Sequence, residues 1–248
     1  ALLMGVSLMH ADTLLEQGYF APEGPTDMPV SASRNHIRFR AEALVYAGDS
    51  DVARFTARCL KIGRYESPLT LRLLPLGDGD AKPEIHTVPA GETAEIALAV
   101  QPGMVHRLVV DAKRNAYTLE CLNGRLAFPA ELDGTPFHGM RKSGPVYFFV
   151  PKGARQFAVK LEGEGMGEMA SARIFAPGGA EVAALDTLGA FERTVTVEVP
   201  AGMGGALWRA EVGRVSGKLF EDFALSFGGD VVPYVSESPT GLLAPLFG

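Results

Sequence analysis

Apolar and polar residues alternate along most of this chain with a period of two. "HIRFRAEALVY", beginning at His36, sets Ile37, Phe39 and Ala41 against Arg38, Arg40 and Glu42, which predicts a strand with one wet face. "DVARFTARCL", "LTLRLLPL", "AEIALAV", "HRLVVDA" and "AYTLECL" follow, punctuated by "AGDS", "GDGD", "VPAG", "QPG" and "LNGR". After the irregular "PAELDGTPFHGMRKS" the pattern restarts at Gly144 with "VYFFV", "RQFAVKLE", "MASARIFA", "AEVAAL", "ERTVTVEV", "ALWRAEV", "LFEDFALSF" and "DVVPYV". In "ERTVTVEV" the residues Val195, Val197 and Val199 face one way and Thr194, Thr196 and Glu198 the other. Only residues up to about 20 carry a helix-like pattern, so no helix is available to join parallel strands. Strands separated by turn signals at roughly 8–15 residues predict an all-β fold. The expected fold is two antiparallel β-sandwich, jelly-roll-like domains in tandem, after a short N-terminal helical segment.

The expected boundaries are a lead-in over 1–35, a first sandwich over 36–132, a linker over 133–143 and a second sandwich over 144–248. V-P-x-G occurs three times, at Val88–Gly91, Val150–Gly153 and Val199–Gly202, each between two strand-like runs. Proline fixes φ and cannot donate to a ladder, and glycine accepts positive φ. The order of elements around these turns matches in the two halves, as either a duplicated module or convergent turn chemistry would produce. Alternation places Trp208 with Ala206 and Ala210 on one face, a large ring among small neighbours, and predicts a core position.

The chain has 248 residues, 47% of them hydrophobic, with 29 Gly and 17 Pro, which suits many turns and short strands. A net charge of −6 with scattered Arg and Lys excludes a nucleic-acid partner on electrostatic grounds. No apolar run reaches the roughly 20 residues of a membrane helix. "ALLMGVSLMHAD" reads either as the tail of a secretory signal or as a helix internal to a longer protein. Cys59 and Cys121 permit one disulfide in an oxidising compartment, or two free thiols in strands.

No G-x-S-x-G or H-E-x-x-H occurs, and His10, His36, His86, His106 and His138 show no zinc-like spacing. Asp49 and Asp51 in "GDSD", and Asp78 and Asp80 in "GDGD", are closely spaced oxygen donors and the candidate calcium ligands. Arg64, Tyr65 and Glu66, beside Gly63 and Pro68, form the candidate ligand-binding loop, since a ring beside a guanidinium and a carboxylate can stack on and hydrogen-bond a sugar. Phe137 and His138 are expected to seal the junction between halves.

Residues 144–235, with "VYFFVPKGARQFAVKLEGEG", "ARIFAPGGAEV", "VTVEVPAGMGGALWRAEV" and "FEDFALSF", resemble the bacterial pre-peptidase C-terminal (PPC) type of β-sandwich. The resemblance covers about a hundred residues of the second half. It implies an accessory module of a secreted enzyme, with an acidic run that in the family serves calcium. The corresponding stretch here offers Glu162, Glu164 and Glu168 without an Asp cluster. The functional expectation is a non-catalytic binding or positioning module, secreted, periplasmic or at the cell surface. Its expected partner is carbohydrate or another extracellular polymer, together with other domains of a longer chain. The alternatives are a jelly-roll glycan-active enzyme with dispersed catalytic residues and a structural spacer.

Overall fold

A computed structural model describes residues 13–23, 35–76, 83–141, 143–165 and 167–246. The protein is all-β, with a single turn of helix over residues 13–16 among the described residues. The early strands are β1 (Tyr19–Phe20), β2 (Ile37–Tyr46), β3 (Val52–Leu60), β4 (Leu69–Leu73), β5 (Ile85–Val88), β6 (Thr93–Ala99), β7 (His106–Cys121) and β8 (Arg125–Pro129). Next come β9 (Phe137–Met140), β10 (Pro145–Val150), β11 (Gln156–Gly163), β12 (Ala170–Phe175) and β13 (Glu181–Asp186). The last are β14 (Glu192–Glu198), β15 (Ala206–Arg214), β16 (Asp222–Gly229), β17 (Tyr234–Val235) and β18 (Ala244–Pro245).

Two compact units divide this list, and their borders interleave along the chain. The first takes residues up to 23, Phe39–Ala127 and 241 onward; the second takes 35–38 and Phe128–Thr240. Strands β2 and β8 therefore each contribute to both units. The stretch read as a linker, 133–143, carries β9, which pairs with β16 through Phe223↔Gly139 and with β2 through Ile37↔Gly139. A Cβ at Gly139 would clash with the Phe223 ring, 2.2 Å from its Cζ, so the glycine here marks a close approach and not a break.

In the first unit β7 does the joining. Its first part pairs with β4 (Leu71↔Val110) and its last part with β3 (Cys59↔Tyr117), while β5 extends β4 and β6 extends β3. Lys113, at φ 55°, lies between the two parts. The sequence pattern breaks at this residue, which is why one 16-residue strand read as two. Phe55, Leu71, Leu108, Tyr117 and Leu119 are buried in the core so formed. Cys59 lies opposite Tyr117 and Cys121 opposite Phe55, four positions along the same ladder. At roughly 3.3 Å per residue that separation exceeds any disulfide span. Both thiols are free, and burial raises the pKa of each.

The second unit is a sandwich. One sheet runs β14-β11-β16-β9 and the other β10-β15-β12-β13, with antiparallel neighbours throughout. Rings from the two sheets interlock. Phe148 of β10 stacks on Phe227 of β16 with centroids 4.3 Å apart, and Phe157 of β11 meets Trp208 of β15 edge-on at 5.4 Å. Trp208 is fully buried, as its alternation predicts, and its Nε1–H donates to the Met203 carbonyl at 3.0 Å.

The three V-P-x-G stretches form the same turn. The N–H of the residue after each glycine donates to the proline carbonyl (Glu92 to Pro89, Ala154 to Pro151, Met203 to Pro200) at 3.0–3.2 Å. Gly91, Gly153 and Gly202 sit at φ 89°, 88° and 80°, the value a type II turn requires at its third position. None of these turns is a hairpin. In the second unit each carries the chain from one sheet to the other, β10 to β11 and β14 to β15, strands that do not pair with one another. They are the corners of the sandwich.

Candidate functional site

The segment between β3 and β4 is short and irregular because Gly63, at φ 54°, and Pro68 prevent either strand from continuing. Its conformation is nonetheless fixed from beneath. Asn115 of β7 is fully buried. Its Oδ1 accepts from the Ile62 N–H at 2.9 Å, and its Nδ2 donates to the carbonyls of Tyr65 at 3.2 Å and Ser67 at 2.7 Å. The loop closes on itself through Tyr65 N–H to the Ile62 carbonyl at 3.1 Å. One buried amide thus ties down both ends of the turn.

On this frame Arg64, Tyr65 and Glu66 are all exposed, Tyr65 to 40%. The Arg114 guanidinium lies over the Tyr65 ring, 5.3 Å from its centroid, within cation–π range. Glu66 forms an ion pair with Lys61, and at such exposure the pair adds little to stability. The three residues singled out in the sequence therefore share one solvent-facing loop. Arg114 and Asn115, which position it, were missed. Their signal was the loss of alternation at Lys113-Arg114-Asn115, between two strand-like runs.

The candidate calcium ligands are arranged differently. Asp49 and Asp51 are exposed on the turn between β2 and β3, and Asp78 and Asp80 lie outside the described residues. Among the described residues no three His, Cys, Asp or Glu side chains come together as a metal ion would need. The three glutamates of the PPC-like stretch have separate partners. Glu162 pairs with Lys160 at 2.6 Å, Glu164 with His138 Nδ1 at 2.8 Å, and Glu168 Oε2 accepts from the Asp222 N–H at 2.9 Å. Burial, with Asp222, Glu221 and Glu164 nearby, raises the Glu168 pKa. His106 is buried with its Nε2 accepting from the Gln101 N–H at 3.1 Å, and burial lowers its pKa. His86 faces Glu84 at 2.8 Å. Phe137 is buried and packs edge-on against Phe128, centroids 6.0 Å apart, within the second unit.

These features define an all-β protein with a pinned, exposed aromatic loop. Among the described residues no helix is long and apolar enough to cross a membrane. No family model matches the sequence, and no curated protein matches it significantly. Among solved structures the chain is similar to tripeptidyl peptidase 2, at 10% identity and a TM-score of 0.27, over 86% of this chain and 23% of that one. It spans less than a quarter of that protein's length. It is also similar to the PBSX exported protein XepA, at 10% identity and a TM-score of 0.22, over 83% of this chain and 98% of that one. A third similarity is to the N-terminal tandem CBM22 domains of Xyn10C from Paenibacillus barcinonensis, at 11% identity and a TM-score of 0.20, over 89% and 93%. Overlaps this slight carry no function across to this chain.

Proposed function

We propose that this chain is a non-catalytic binding module of a secreted or surface-displayed bacterial protein, positioning carbohydrate or another extracellular polymer through the loop at 61–67. The second unit then serves as a PPC-like companion module. One observation supports this above the rest: Tyr65 is exposed on a loop that the buried Asn115 holds rigid. Rigid presentation lowers the entropy lost on binding. The exposed ring stacks on the apolar side of a pyranose, with Arg64 donating to hydroxyls and Glu66 accepting from them. Affinity electrophoresis against a panel of neutral and acidic polysaccharides tests this. Tyr65→Ala should weaken binding about tenfold or more, the usual cost of truncating an aromatic anchor. Equal binding by parent and variant, or none by either, refutes the site.

A further inference from the structure

Among the described residues of the second unit three large apolar side chains are exposed: Leu188 at 48%, Phe191 at 68% and Leu219 at 52%. Scattered exposed apolar residues are ordinary, but these are not scattered. All three sit at one end of the sandwich. Leu188 and Phe191 belong to the connection between β13 and β14, and Leu219 to the connection between β15 and β16. The opposite end carries the β10–β11, β12–β13 and β14–β15 turns and exposes no large apolar side chain among the described residues.

Both apolar connections are closed by hydrogen bonds. The turn over 187–190 closes from the Ala190 N–H to the Thr187 carbonyl, and the turn over 215–218 from the Lys218 N–H to the Val215 carbonyl, each at 3.1 Å. Gly189 and Gly217, at φ 78° and 72°, hold the third position, and a Cβ on either would meet nothing within 4 Å. Leu188 therefore stands at the second position of its turn, while Phe191 and Leu219 directly follow theirs. The chain over 163–170 ties the two turns to one platform. Gly163 N–H donates to the Phe191 carbonyl at 2.9 Å, and Met169 N–H to the Leu219 carbonyl at 2.8 Å. The buried Thr187 exchanges two bonds with Ala170, N–H to carbonyl at 2.9 Å and Oγ1 from N–H at 3.1 Å.

The charges around these turns are unequal. Glu164 is paired with His138, Glu221 with Arg141, Asp222 with Arg38, and Glu162 and Glu192 with Lys160. Asp186 Oδ1 accepts from the Leu188 N–H, and Glu168 Oε2 from the Asp222 N–H, each at 2.9 Å. Three exposed cations differ: Arg193, two residues beyond Phe191, Arg214, opposite Ala170 at the end of β15, and Lys218, beside Leu219. None of the three has an ion-pair partner among the described residues.

Apolar tips among unpaired cations match the two layers of an anionic lipid surface. We propose that this end of the second unit docks on a membrane containing anionic phospholipid. Leu188, Phe191 and Leu219 enter the interfacial region, and Arg193, Arg214 and Lys218 meet the phosphates. Lysine and arginine suit that place, because their stems lie along apolar surface while their heads stay in the polar layer. A folded protein partner would need a surface shaped to separate projections, whereas a fluid lipid layer conforms to them.

Sedimentation of the full chain with vesicles tests this, using phosphatidylcholine and phosphatidylglycerol in equal parts, and phosphatidylcholine alone. The expected result is stronger binding to the anionic vesicles, weakened but not abolished by salt. Phe191→Ser, at an exposed position, should leave the Trp208 emission of the folded chain unchanged and weaken binding about tenfold or more. Lys218→Glu should reduce the preference for anionic vesicles, whereas Lys152→Glu, the same reversal at the exposed opposite end, should not. Phe191→Trp should gain a blue-shifted emission component when vesicles are added, above the constant contribution of the buried Trp208. Binding to neither vesicle overturns the proposal, as does binding that Phe191→Ser leaves unchanged. Equal losses in Lys218→Glu and Lys152→Glu reduce the effect to net charge and overturn it, and so does an unshifted emission from Phe191→Trp. Self-association without lipid that Phe191→Ser abolishes assigns this end to a second copy of the chain and also overturns it.

Discussion

Replacing Asn115 tests the loop's rigidity directly. Asn115→Ala removes at least the hydrogen bonds to the Ile62 N–H and to the carbonyls of Tyr65 and Ser67, from a fully buried position. At about 0.5–1.5 kcal/mol net for each, the loss comes to about 2–4 kcal/mol. With a urea slope of about 1–3 kcal/mol/M, the unfolding midpoint should fall by on the order of 1 M. Asn115→Asp sharpens the test. Its carboxylate can still accept from the Ile62 N–H, but it turns an oxygen toward two carbonyls that the amide had satisfied as a donor. At neutral pH it should therefore cost more than alanine. Burial and these carbonyls raise the folded-state pKa of the introduced carboxyl above its unfolded value. The folded state then binds the proton more tightly, so stability returns as pH falls through the folded pKa toward the unfolded one. Urea titrations at several pH values, read by circular dichroism, supply the numbers. A change below about 0.5 kcal/mol for alanine, of the size typical of surface sites, or a milder effect for aspartate than for alanine at neutral pH, refutes the reasoning.

Trp208→Ala should cost about 3–5 kcal/mol, as large-to-small changes of buried aromatics do. In the parent the emission of this sole tryptophan should be blue-shifted and resist iodide, and ready quenching would contradict its burial. Gly153→Ala should cost about 1–2 kcal/mol, because φ is 88° there although a Cβ has open space; a neutral change in thermal midpoint would show that the corner tolerates another conformation. Glu168→Gln keeps an acceptor for the Asp222 N–H and removes a carboxylate whose folded pKa is raised. A raised carboxyl pKa favours folding as pH falls through it, so the variant should be the more stable at neutral pH and lose that advantage in acid. An unchanged pH profile would count against the assignment.

Much of the architecture was legible because it is written locally. In β14, Val197 is buried while Thr194 and Thr196 are exposed, as alternation requires. The V-P-x-G turns could be read from proline and glycine alone, yet their role as corners could not, since pairing partners are set by contacts distant in sequence. β9 was hidden by Gly139, whose meaning depends on Phe223 more than eighty residues away. Tyr65 could be placed in a solvent-facing loop from its neighbours Gly63 and Pro68, whereas Asn115 beneath it is fifty residues distant. Ser171, Arg173, Glu211 and Gly213 alternate onto the wet face in "SARIF" and "WRAEVGR", but their juxtaposition needs the β12–β15 register.

The pairing of β1 with β18, Tyr19 with Pro245 and Phe20 with Ala244, has a consequence for biosynthesis. The first unit owns both early and late chain, and Leu242 and Leu243 are fully buried in it. The Gly241 carbonyl accepts from the Leu126 N–H, and the Leu242 carbonyl accepts from Arg125 Nη1, each at 3.1 Å. A nascent chain on the ribosome can therefore complete the second unit while the first still waits for its closing strand. A premature stop after Thr240 would injure the unit that was translated first.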